Sequence, residues 1–252
     1  MRRLLVGLAA SLAGMIALIA VEVLLLGRRE YLPTDPGYRI RRRVAPPGPP
    51  AGPVISLAVL GDSTVAGVGS PTADDSLPVL VAERVAALTG RAVDVVGHGV
   101  SGARTASALE RQLPAVALGT DVVLLVVGSN DATHLTFWPR FRRQVGALLA
   151  GARTAGSGVV LAGTPRFHRN RILPEPIRTI IDRYASLLRG QQRAAVRDVP
   201  GARFVDLAVE ASPRFLGVPE ATSPDGFHPS PIGYGFWADA LAPAVVAALS
   251  DR

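Results

Sequence analysis

Residues 54–69, VISLAVLGDSTVAGVG, decide how the rest of the chain is read. Six of the first seven are apolar, the composition of a strand buried on both faces in the middle of a parallel sheet. The run stops at Gly61, and a loop containing Gly67 and Gly69 carries Asp62, Ser63 and Thr64 past the strand's carboxyl end. In open α/β sheets that end is where ligands and reacting groups gather. Ser63 is therefore a candidate nucleophile.

Working outward, Ser76 is placed to cap a helix running to about residue 89, with Pro78 in its first turn. Leu77, Leu80, Val81, Val85 and Leu88 give that helix one apolar face. Further strands are expected over 91–96, 121–127, 159–162 and 203–205, and helices over about 106–113, 137–155, 177–196 and 232–249. Strands alternating with helices imply a three-layer α/β/α sandwich around a five-stranded parallel sheet. There is no internal repeat.

Toward the amino terminus, residues 4–26 form an apolar run whose single charge is Glu22. As a helix at 1.5 Å per residue it is about 34 Å long, enough for a bilayer core of about 30 Å. Ala17, Ala20 and Gly27 have Met15, Leu18 and Leu25 two positions before them, which argues against a cleaved signal. Residues 1–27 are thus expected to be a transmembrane anchor or signal-anchor. Residues 28–53, with 7 of the 21 prolines, read as a semi-rigid linker, and 54–252 as the globular domain. The arginine cluster 39–43 reads as a solvated or lipid-facing charge run. The basic residues flanking the apolar run favour an inside placement, whereas the Met1-Arg2-Arg3 start favours export. The reading places the domain on the outer face.

The net charge of +7 lies mostly in residues 1–50, where 8 Arg face 3 acids. The remaining 202 residues hold 19 Arg and 17 acids, so the domain is close to neutral and no nucleic-acid partner is expected. Cysteine is absent, which excludes disulfides, thiolate metal sites and a cysteine nucleophile.

Gly97-His98-Gly99-Val100-Ser101-Gly102 fits G-x-G-x-x-G after a strand, the pattern of a dinucleotide site. The acid that should meet the ribose would be Asp121, but it opens its strand and so lies at the wrong end of the sheet. No cofactor is expected. The same glycines suit a bare loop whose N–H groups approach a substrate. Gly128-Ser129-Asn130-Asp131 follows the next strand, and the Asn130 amide is a donor for a developing oxyanion or simply a turn former. In Asp225-Gly226-Phe227-His228 the carboxylate can reach Nδ1 of the ring and leave Nε2 to act as a base. His98, His134 and His168 lack such a neighbour in sequence. No metal motif is present.

Together these segments resemble the SGNH subgroup of GDSL-type esterases and lipases over about residues 54–250. Gly61-Asp62-Ser63, Gly102 in VSGART, Gly128 to Asp131, and Asp225 with His228 match four of the family's blocks. Thr64 replaces the leucine of the GDSL name, and Gly97 stands where many members have asparagine. The resemblance implies a flavodoxin-like fold and a catalytic set of Ser63, Asp225 and His228. It also implies an oxyanion hole from Ser63, Gly102 and Asn130, with no cofactor or metal. The implied activity is hydrolysis of acyl esters of a lipid or sugar, with acyl transfer to a sugar or lipid, or a non-catalytic binding module, as rival readings. Arg166, Arg169 and Arg171 would suit a lysophospholipid or acidic glycan.

Overall fold

The computed structural model describes residues 2–28, 32–168, 170 and 172–250. It opens with helix α1 (Arg2–Gly27), strand β1 (Arg41–Val44), strand β2 (Ile55–Gly61), the single turn α2 (Ser63–Ala66) and helix α3 (Leu77–Thr89). Strand β3 (Val93–Gly99), the turn α4 (Thr105–Ser107), strand β4 (Thr120–Val126), the short α5 (Ser129–Thr133) and helix α6 (Trp138–Ala155) follow. Strand β5 (Gly156–Ala162), helix α7 (Ile177–Arg197), strand β6 (Ala202–Val205), the turn α8 (Leu207–Glu210) and helix α9 (Pro231–Ala248) complete the chain.

β4 shows how the sheet is sandwiched. Val122, Leu124 and Val126 pack into one buried cluster with α3 and α9, including Val81, Val85, Trp237 and Leu241. Val123 and Leu125 face the other way, against Phe141 and Leu148 of α6 and Ile181 and Leu188 of α7. A strand buried on both faces has no polar alternation, which is why its sequence is a plain apolar run.

The sheet differs from expectation in one respect. It has six strands in the order β1-β3-β2-β4-β5-β6, not five. The extra strand, β1, comes from the expected linker and pairs antiparallel with β3, Arg43 opposite Asp94. Two of its three arginines are paired as well as solvated: Arg43 donates two hydrogen bonds to Asp94 at 2.7 Å, and Arg42 reaches Asp74 at 2.7 Å. An edge strand carrying charge also resists pairing with other chains. Ser76 stands at the start of α3, but its hydroxyl donates to the Ala73 carbonyl at 2.5 Å and does not cap the helix.

The expected membrane span is not supported, because among the described residues no helix is long and apolar enough to cross a membrane. Residues 2–27 do form a helix. Its surface over residues 13–25 is largely exposed. Part of that surface turns inward: Ile19 and Leu26 pack on the α6–α7 side of the core, and Glu22 is buried with Oε2 lacking a partner.

Register positions the site. Gly61 at the end of β2 is level with Gly99 of β3 and Val126 of β4. The three loops that follow therefore leave the sheet at one rim. Gln112, buried, clamps that rim by accepting from the Gly61 N–H at 2.9 Å and donating to its carbonyl at 2.8 Å.

Candidate active site

Ser63 opens α2 directly after β2. Asp62 caps this turn, accepting from the Thr64 N–H at 3.0 Å and from the Thr64 hydroxyl at 2.8 Å. Burial pushes the Asp62 carboxyl up, against the downward pull of the Thr64 bonds. Gly99 of β3 passes so close that a Cβ there would lie 2.1 Å from the Ala66 nitrogen. Only a glycine lets this strand end approach the turn that carries Ser63.

The second loop folds back with the Ala103 N–H donating to the Val100 carbonyl at 2.9 Å. Gly102 sits there at φ 74°, a left-handed conformation suited to glycine. The third loop brings Asn130 in on α5. Its Nδ2 donates to the Ala103 carbonyl at 3.2 Å and, at 3.4 Å, to Asp62 Oδ2, so one amide ties all three loops together. Asp131 is fully buried behind it and accepts from the N–H and hydroxyl of Thr105, both at 2.9 Å.

The fourth piece is a tight turn before α9. Oδ1 of Asp225 accepts from Ser223 Oγ at 2.7 Å and from the N–H groups of Phe227 at 2.8 Å and His228 at 3.0 Å. Its Oδ2 lies 2.6 Å from His228 Nδ1. Burial alone would raise this carboxyl, but the hydrogen bonds, the ring's foremost, hold it well below the usual carboxylate range. The other ring nitrogen, Nε2, is 2.9 Å from Ser63 Oγ. Beneath the site, fully buried Tyr234 donates to the Val68 carbonyl at 2.5 Å.

Ser63, Gly102, Asn130 and His228 thus border one cavity of about 440 Å³, with Asp225 behind the imidazole. All five residues singled out in the sequence are brought together. Asp121 is not among them. It accepts from the Ser56 N–H at 2.7 Å, at the amino end of the strands, and the structure ties it to the sheet there. His134 Nδ1 lies 2.8 Å from the Asn130 carbonyl, and the His98 ring is pushed toward its neutral form by burial and by Arg41. His168 does have a carboxylate in range, Asp182 at 4.0 Å. Arg166 also meets Asp182, at 3.7 Å, and Arg169 and Arg171 lie outside the described residues. Among the described residues no group of three His, Asp or Glu could hold a metal ion.

Sequence reasoning missed Gln112, Thr105 and the positions of Val23 and Leu26, which also line the cavity. Gln112 acts on the backbone of Gly61 and Thr105 on the Asp131 carboxylate, both far along the chain, so local pattern carries no sign of them.

A serine, an imidazole and a carboxylate in series, on a rim built from three strand ends, define a site arranged to activate a hydroxyl. The model of the GDSL-like lipase/acylhydrolase family matches residues 59–236, and the chain belongs to that family. The GDSL-like esterase Rv1075c of Mycobacterium tuberculosis is 29% identical over 202 residues, which is 79% of this chain and 64% of that relative. The chain therefore spans under two thirds of that relative's length. In fold it is similar to an extracellular lipase of Streptomyces rimosus, at 24% identity and a TM-score of 0.58 over 75% of this chain and 99% of the other. Phospholipase A1 of Streptomyces albidoflavus gives 23% and 0.57, covering 75% and 98%. A single-residue variant of an acetyl xylan esterase of Geobacillus stearothermophilus gives 19% and 0.56, covering 76% and 94%.

Proposed function

We propose that the chain is a serine esterase cleaving carboxylic esters. Ser63 Oγ bonds to the ester carbonyl carbon while its proton passes to His228 Nε2, and Asp225 steadies the resulting imidazolium. The N–H groups of Ser63 and Gly102 and the Asn130 amide receive the oxyanion, each donor contributing about 3 kcal/mol. The bond from that carbon to the alcohol oxygen then breaks, and His228 returns the proton to the leaving oxygen. Water, deprotonated by the same ring, next attacks the acyl-enzyme, releasing a carboxylic acid and restoring Ser63.

The observation that carries this reading is the unbroken series Ser63 Oγ to His228 Nε2 at 2.9 Å and His228 Nδ1 to Asp225 at 2.6 Å. The Asn130 contact with Asp62 supports it too, since a 3.4 Å bond is weak enough to be exchanged for an oxyanion. Ser63→Ala should lower the hydrolysis of p-nitrophenyl butyrate by about 10⁴- to 10⁶-fold with an unchanged circular dichroism spectrum. Hydrolysis at the parent rate would contradict the assignment.

We also propose that the domain works on the outer face of a membrane, held there through α1. Met15, Ile16, Leu18, Val21, Leu24 and Leu25 of this helix are 47–61% exposed, an apolar surface a soluble domain rarely leaves uncovered. Fractionation of expressing cells, followed by protease treatment of intact cells, tests it. Pelleting with membranes and cleavage from outside are expected; recovery in the soluble fraction would contradict it.

A further inference from the structure

The cavity beside Ser63 has two unlike ends. Ser63, Ser101, Gly102, Asn130 and His228 bring polar atoms to the reacting end, and Thr34 and Thr133 add a hydroxyl each to the lining. Most of the other lining residues are aliphatic. Leu173, Ile177 and Ile181 form one wall, from α7 and the segment before it. Val23 and Leu26 of α1 and Leu32 line the same cavity. Among the described residues no Arg, Asp or Glu lines this space.

We infer that the amino-terminal segment, through Val23, Leu26 and Leu32, forms one wall of an acyl-chain pocket. The preferred substrates are esters of aliphatic acids of about six to ten carbons, not acetyl esters. The inference rests on the esterase reading above and deepens it. An acetyl group would put a single methyl into about 440 Å³ and leave most of the aliphatic wall wet. A sugar ring there would find few partners for its hydroxyls, and unpaired polar groups are costly to bury. A longer alkyl chain gains from each methylene removed from water, about fourfold in binding per methylene. Segments far apart in sequence thus divide the work, since β2 and the 225–228 turn bring the chemistry while α1 with α7 selects the chain it acts on.

The test uses the full-length protein and p-nitrophenyl esters from acetate to decanoate. kcat/KM should rise about three- to fourfold per added methylene up to hexanoate or beyond. Leu26→Trp, which fills the pocket from the α1 side, should cut the octanoate-to-acetate ratio of kcat/KM at least tenfold, mainly through KM. Ile177→Trp should do the same from the α7 side. Leu18→Ser, on an exposed part of α1, should leave the ratio as it was. Where Leu26→Trp fails to fold, Leu26→Ala widens the pocket and should move the optimum to a longer chain. Acetate as the best substrate would overturn the inference. So would a ratio that moves with Ile177→Trp but stays within twofold for the Leu26 variants. Labelling of Ser63 by a fluorophosphonate, read in the same samples, separates the two layers. Labelled enzyme with a flat chain-length profile sinks only the acyl pocket, whereas unlabelled, ester-inert protein sinks the esterase reading itself.

Discussion

The two sides of Ser63 are built in opposite ways. On the proposed proton-transfer side, Asp225 and His228 lie three residues apart, and one turn supplies the carboxylate, the ring and the N–H groups that fix both. On the proposed oxyanion side, each group stands at the end of a different strand, and long-range contacts hold them in register: Asn130 to Ala103, Gln112 to Gly61, Gly99 against Ala66. One side is local chemistry and the other is sheet topology. The first should survive distant changes that disturb the second.

Substitutions can break this contrast, beginning with the largest effect. His228→Ala removes the base and should lower kcat by about 10⁴- to 10⁶-fold, leaving thermal unfolding within a few degrees of the parent. Asp225→Asn keeps the shape of the turn but leaves the ring without its carboxylate, and a loss of about 10³- to 10⁴-fold in kcat is expected. Asn130→Ala strikes the oxyanion side and should lower kcat by about 10²- to 10³-fold with KM little changed. A KM effect that exceeds the kcat effect would show that Asn130 binds the ground state instead.

Gln112→Ala sharpens the contrast, because it touches no reacting atom. It leaves the buried Gly61 N–H without its Gln112 partner and the Gly61 carbonyl with the Val100 N–H at 3.2 Å, and about 1–3 kcal/mol of stability should be lost. Denaturant unfolding measures this. Activity should fall with the oxyanion side, while the Asp225–His228 turn keeps its pH behaviour.

The smallest effect is one of pH. The Asp225 carboxyl is held below its ordinary range, so it stabilises the fold at pH values above about 4, the unfolded value. That contribution is lost as pH falls from there toward the lower folded value. The melting temperature should therefore decline below about pH 4, and less steeply in Asp225→Asn. Equal slopes for the two proteins would contradict the sign.

The same contrast explains what could be read from the sequence. β4 shows itself as an unbroken apolar run because it is buried on both faces, and the 225–228 turn because its partners are neighbours in the chain. β1 does not. Arg41, Arg42 and Arg43 show no alternation, and the strand exists because β3, some fifty residues away, offers an edge and Asp94. Gln112 and Thr105 are invisible for a similar reason, since each serves a backbone or carboxylate on another loop. An almost wholly apolar helix such as α1 carries no polar face to distinguish lipid from protein as its neighbour. Its contact with the cavity through Val23 and Leu26 emerges only in three dimensions.

Everything rests on a serine made nucleophilic by the ring beside it. Mass spectrometry after treatment with a fluorophosphonate at neutral pH tests this most directly. The account predicts a single adduct, on the peptide containing Ser63, that disappears when the protein is unfolded first and is strongly slowed in His228→Ala. An adduct on another serine, or folded and ester-cleaving protein that carries none, would contradict it.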